Sequence, residues 1–299
     1  MRRNKSRRRR WLISLGAVLG LTLVAGCTAL HDFLHVPTWP LPEGVDKRSQ
    51  TLVLAGKPVK VDFYLPSDST SAPVVLIVHG FARNRKTMAG WGASLAEQGF
   101  LSIALDLPSW ADHARNGRAV AELLAEVQAG ELIQQPKPSG WAALVGFSAG
   151  GTTTLLAAAG NTNVSCWVGL DPVGMSRATL EAAAWLEIPC FVLRAEPAPW
   201  NVKGNARHIF AVLPGPAFSL VVNHASHVDA ENPTSRAAEW ACGKSDPVRR
   251  DLFGRYLRAS LQAGLRRDAE SFNQLCTATN DPAIHEVEFR KAEQFQLTR

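Results

Sequence analysis

The chain has 299 residues, 46% of them hydrophobic and 19% charged, which excludes a disordered polymer and suits one large α/β domain or two small ones. Its net charge of +6 invites a polyanionic partner only until the charges are located. Arg2, Arg3, Lys5, Arg7, Arg8, Arg9 and Arg10 all fall in the first ten residues, and without those seven the rest carries −1. A body so close to neutral has no field that would steer it to nucleic acid, so none is expected as a partner.

The basic run opens a segment free of Asp and Glu through residue 26, and an apolar stretch from Trp11 to Ala25 follows it. That stretch is shorter than the roughly 20 residues of a spanning helix. With the small residues after it, it has the layout of a signal peptide. Its end, Val24-Ala25-Gly26-Cys27, resembles the bacterial lipobox, in which cleavage precedes the cysteine and the thiol carries diacylglycerol. The resemblance implies a lipoprotein signal peptide at 1–26, lipidation of Cys27, and a membrane partner through that anchor. Thr28, which is not acidic, implies the outer membrane of a bacterial envelope. Residues 27–50, with Pro37, Pro40, Pro42 and Gly44, read as a tether and lead-in loop, and 51–299 as the domain.

Within the domain, strand-like runs are expected at Thr51–Leu54, Val59–Leu65, Pro73–Val78, Phe100–Leu105, Trp141–Phe147, Cys166–Leu170, Pro189–Arg194 and Phe218–Val222. Several are continuously apolar, as in Val74-Val75-Leu76-Ile77-Val78, the mark of strands covered on both faces. Helical patterns lie between them at Thr87–Gln98, Arg118–Gln128, Ala149–Ala159 and Arg177–Trp185, with another at Val248–Ala263. The alternation predicts an α/β fold, a single domain with a doubly wound, mostly parallel sheet. The stretch from Ile284 to Arg299 carries no assignable pattern. Export makes disulfides permissible. Cys166 and Cys190 lie in strand-like runs and read as buried thiols. Cys242 and Cys276, outside strands, are the candidate disulfide pair.

Gly146-Phe147-Ser148-Ala149-Gly150 matches G-x-S-x-G. An apolar strand, Ala142-Ala143-Leu144-Val145, precedes it, and a helix of small residues, Thr152–Ala159, follows. This setting resembles the nucleophile elbow of the α/β-hydrolase fold, where a sharp strand-to-helix turn presents the serine. Glycines on both sides would relieve the crowding. The resemblance implies that Ser148 is a nucleophile and that the backbone N–H groups of Phe81 and Ala149 form an oxyanion hole. Phe81 belongs to His79-Gly80-Phe81-Ala82, after the strand Pro73–Val78. His79 reads as a structural residue at the base of that loop.

The fold orders its triad serine, acid, histidine. His224 and His227 both follow the strand Phe218–Val222, and Asp171 and Glu196 each end a strand, so two bases and two acids stand open. A family resemblance chooses between them. Gly169-Leu170-Asp171-Pro172-Val173 resembles the Gly-Ile-Asp-Pro-Val segment of chlorophyllases. The likeness continues through His79-Gly80-Phe81, Ser148-Ala149-Gly150-Gly151, Ile188-Pro189, His227-Val228-Asp229, Cys242-Gly243-Lys244 and Arg249-Arg250-Asp251-Leu252. It implies Asp171 as acid and His227 as base. Polyester-hydrolase and cutinase-like enzymes are similar in the elbow and the histidine loop. Phe147 and Ala149 flank Ser148 where chlorophyllases carry His and Arg, which argues against a pigment substrate.

The expected activity is therefore serine carboxylic-ester hydrolysis on a small or apolar ester, without metal or cofactor; no Cys/His cluster has zinc spacing. Trp110 and Trp200 follow strand ends and are candidates to line an apolar pocket. An acyltransferase with the same triad, or an inactive envelope-binding lipoprotein, are the alternatives.

Overall fold

The computed structural model describes residues 30–297. Among these residues nine strands form one sheet, in the order β1-β2-β4-β3-β5-β6-β7-β8-β9. The first two, β1 (Val45–Leu54) and β2 (Lys57–Pro66), make an antiparallel hairpin. Its two-residue turn has Ala55 at φ 47° and Gly56 at φ 72°. Positive φ at both central positions gives the turn whose twist matches paired strands. The lead-in loop expected at 27–50 is shorter than read, because β1 starts at Val45.

The central strands β4 (Leu101–Leu105), β3 (Ser71–Val78), β5 (Lys137–Phe147), β6 (Cys166–Leu170), β7 (Cys190–Arg194) and β8 (Ala217–Val222) are mutually parallel. Their continuous apolar runs are explained by burial on both faces. Val75 and Ile77 of β3 pack with Trp91 and Leu95 of helix α1 (Ala89–Glu97), and with Phe253 and Leu257 of the long C-terminal helix Pro247–Arg266. Val74, Leu76 and Val78 turn the other way, into a second core with Val120 and Leu123 of α2 (His113–Gln128) and Leu155 of α3 (Ala149–Ala158). Helices α4 (Arg177–Ala183) and α5 (Ala206–Val212) add Ala182 and Ile209 to that second core. Further along come α6 (Arg236–Cys242), α7 (the helix Pro247–Arg266) and α8 (Ala269–Cys276).

Two expectations are corrected here. The tail left unassigned contains β9 (Ile284–Arg290), which pairs antiparallel with β8 and closes that edge of the sheet. It alternates: Val287 and Phe289 rest on the core, while Glu286 and Glu288 pair with Arg194 of β7. The proposed Cys242–Cys276 disulfide is not formed; both are free thiols. Cys242 ends α6 with its Sγ 3.9 Å from Arg83 Nη2, whereas Cys276 is exposed at the end of α8.

Candidate active site

Parallel strands bring their C-terminal ends to one edge of the sheet, and that edge is where open α/β sheets present ligand groups. Phe147, the last residue of β5, pairs with Leu170, the last of β6. Ser148 and Asp171 therefore leave adjacent strands side by side. His227 follows β8 in a short 3-10 turn, His227–Ala230.

Ser148 sits at φ 53°, ψ −125° between β5 and α3. A side chain in this region costs about 1–3 kcal/mol, so the surroundings must hold it there. They do: Ser148 N–H donates to Leu170 O at 3.1 Å, and Ser148 O accepts from Gly151 N and Val173 N, both at 2.9 Å. The turn also needs its glycines. A Cβ on Gly146 would lie 2.5 Å from Gly150 O, and one on Gly150 would lie 2.5 Å from Val78 O.

His227 links the other two side chains. Its Nδ1 lies 2.6 Å from Asp171 Oδ2 and its Nε2 lies 2.9 Å from Ser148 Oγ. A carboxylate can only accept, so the proton belongs on Nδ1, which leaves Nε2 to accept from the serine hydroxyl. All three residues are buried. Asp171 Oδ1 accepts from Ala195 N at 3.0 Å, and Asn201 Nδ2 donates to Asp171 Oδ2 at 3.0 Å. Glu196 points elsewhere. It accepts the His224 backbone N–H at 3.1 Å and faces His285 at 3.9 Å. His224 is exposed, so neither rival residue joins the constellation.

His79 is buried and fixes the loop after β3. Its Nδ1 donates to Gly80 O at 2.8 Å, and its Nε2 accepts Leu107 N–H at 3.2 Å. Burial pushes its pKa below the usual 6.5. Because the Gly80 carbonyl is drawn toward His79, the trans peptide turns the Phe81 N–H the opposite way. Among the described residues neither the Phe81 nor the Ala149 N–H finds an acceptor within the protein. Both residues line a cavity of about 320 Å³, with Leu107, Trp110, His113 and Arg83 among the other walls. Phe81 and Trp110 stand edge to face, 6.4 Å apart, and are 57% and 79% exposed at its rim. Trp200 lies in the short turn Pro199–Asn201 that carries Asn201 to Asp171.

Several supporting residues escaped the sequence reading. Phe147 packs its ring on the His227 imidazole, with centroids 4.8 Å apart. Asn201 was hidden in a Pro-rich loop without a motif. Asp229 caps the turn that carries His227: its carboxylate accepts from Ser226 N, Asp246 N and Arg249 Nε, each at 2.7 Å. Glu231, fully buried, pairs with Arg83 at 2.9 Å and so ties the histidine loop to the loop after β3. Burial pushes the Glu231 carboxyl up in pKa while Arg83 pulls it back. Arg250 Nε donates to Glu231 O at 2.9 Å. The signal for Asp229, Arg249 and Arg250 was in the sequence, in two of the segments read above as resembling chlorophyllases.

A family model described as alpha/beta hydrolase fold matches residues 73–197, which run from within β3 past the elbow to just beyond β7. The chain has the α/β-hydrolase fold. No curated protein matches it. In this α/β-hydrolase-fold protein the matched segment holds Ser148, Asp171 and the loop His79-Gly80-Phe81-Ala82, while His227 lies beyond it. Such a match supports hydrolase chemistry in the broad sense. Cys27 and the signal peptide expected at 1–26 lie outside the described residues.

Proposed function

We propose that the protein is a serine carboxylic-ester hydrolase working through an acyl-enzyme. The observation that carries this reading is His227 bridging Ser148 Oγ at 2.9 Å and Asp171 Oδ2 at 2.6 Å. In this mechanism His227 Nε2 takes the Ser148 proton as Oγ attacks the ester carbonyl. The resulting oxyanion accepts hydrogen bonds from the Phe81 and Ala149 N–H groups. The imidazolium, held by Asp171, returns its proton to the departing alcohol, leaving the acyl group on Ser148. Water then repeats the sequence and releases the acid.

The cavity beside Ser148, about 320 Å³ with Phe81, Leu107 and Trp110 on its walls, suits an apolar or aromatic acyl group of modest size. The test is hydrolysis of p-nitrophenyl esters of graded chain length. Turnover is expected to be best with short and medium chains and to fall with long ones. Failure to hydrolyse any of them would remove the esterase reading. We also read Cys27 as lipidated, which holds the enzyme in the bacterial envelope, on the side of the outer membrane that faces the periplasm or the surface.

A further inference from the structure

The start of the described chain and helix α6 share one exposed apolar face. Residues 30–34 are helical. Leu30 and Leu34, four apart and so on one side of the helix, are 58% and 59% exposed. Phe33 meets Trp240 of α6 edge to face, with ring centroids 6.5 Å apart. Trp240 is 82% exposed, more than any other large apolar side chain among the described residues. Arg236, one helical turn before Trp240, is exposed, as is Lys244 just past the helix. Neither forms an ion pair among the described residues. Two carboxylates stand close by: Asp32 faces His31 at 3.4 Å, and Glu239 accepts from Ser245; both line one groove with Arg236.

Leucines, a tryptophan and unpaired cations on one face form the pattern that rests at a bilayer surface. Apolar side chains enter the acyl boundary, the indole sits at headgroup level, and Arg and Lys meet anionic phosphates. The place of this face in the chain gives the second argument. Leu30 follows Cys27 by three residues, so an acyl group on Cys27 would hold a membrane within about 10 Å of it. We propose that the face of Leu30, Leu34, Arg236 and Trp240 lies in the headgroup layer of an anionic phospholipid bilayer. This rests on the lipid-anchor reading of Cys27. Helix α6 carries the consequence to the site: Cys242, at its end, lies 3.9 Å from Arg83, a wall residue of the cavity beside Ser148. Docking would orient that cavity with respect to the membrane.

The experiment uses the mature full chain, purified from envelopes and reconstituted with vesicles of phosphatidylethanolamine and phosphatidylglycerol bearing brominated acyl chains. Bromine quenches indoles at the bilayer surface. Tryptophan emission should be quenched in the parent protein, most of that quenching should vanish in Trp240→Ala, and it should persist in Trp185→Ala, an exposed control after α4. Hydrolysis of a soluble ester should be equal in all three. Quenching unchanged by Trp240→Ala would overturn the proposal. So would a dimer dissolved by Trp240→Ala with no quenching, since a second copy would then cover the face. The mass of the mature N-terminus, taken on the same sample, separates the two readings. Lipidated Cys27 without Trp240-dependent quenching removes the docking face and keeps the anchor. Unmodified Cys27 with Trp240-dependent quenching removes the anchor and keeps the face.

Discussion

Asp171 and Glu196 end neighbouring strands, and only side-chain geometry separates them. The Asp171 carboxylate reaches His227 and is itself held by Ala195 N–H and Asn201. Glu196 spends its oxygens on the His224 backbone and the neighbourhood of His285. A carboxylate beside Nδ1 fixes the tautomer and stabilises the imidazolium, whereas an amide there favours the wrong tautomer. Asp171→Asn should therefore lower kcat by about 10,000-fold with the fold retained, and Glu196→Gln by about twofold or less. Ester turnover and circular dichroism on the two variants check this. The reverse ranking would move the acid to the end of β7.

At the scale of elements, the histidine loop is held from outside by α7. Arg249 Nε donates to the buried Asp229 carboxylate at 2.7 Å, and Arg250 Nε to Glu231 O at 2.9 Å. Asp229 has other donors, so loss of Arg249 removes one charge-assisted bond and not the whole network. Arg249→Met should cost roughly 1.5–3 kcal/mol, and Tm should fall by about 4–10 °C. Esterase activity should fall with it, because His227 begins the turn that Asp229 caps. An unchanged Tm would mean that the loop holds itself. The long apolar runs of β3 to β8 made the central sheet legible in sequence, because each such run needs a helix layer on both faces. The elbow was legible for a related reason: few sequences other than G-x-S-x-G tolerate a turn where a Cβ would meet backbone at 2.5 Å. Helices α5, α6 and α8 were missed. They are seven or eight residues long, about two turns, so a period is easily lost in them, although the equally short α4 was legible at Arg177–Trp185. β9 was missed because its alternation is carried by His, Glu and Arg around Val287 and Phe289, a composition as common in helices. Asn201 could not be found, since a single amide in a loop has no pattern until the fold closes on it.

On the scale of the whole molecule, pH acts through buried groups. His79 is held neutral by burial, with its Nε2 accepting the Leu107 N–H, and its pKa lies below 6.5. Below that pH the unfolded chain takes up a proton that the folded chain refuses, so stability falls as pH falls, by at most about 1.4 kcal/mol per unit. Glu231, with its carboxyl pKa raised, works in the opposite sense and loses stability as pH rises past about 4.5. The stability difference between the parent protein and His79→Asn isolates the first effect. It should grow in favour of the parent with rising pH and level off near pH 6.5 in urea melts. A flat difference would mean that His79 titrates normally.

Every part of the proposed chemistry converges on Ser148 Oγ, the atom that His227 Nε2 reaches at 2.9 Å in the strained turn after β5. The most direct measurement is intact-mass and peptide mass spectrometry after exposure to a fluorophosphonate. An activated serine should gain one phosphonyl group, on the peptide containing Ser148. The parent protein should lose its ester turnover in step, and Ser148→Ala should gain nothing. Absence of the adduct, or equal labelling of Ser148→Ala, would contradict the assignment of Ser148 as the nucleophile.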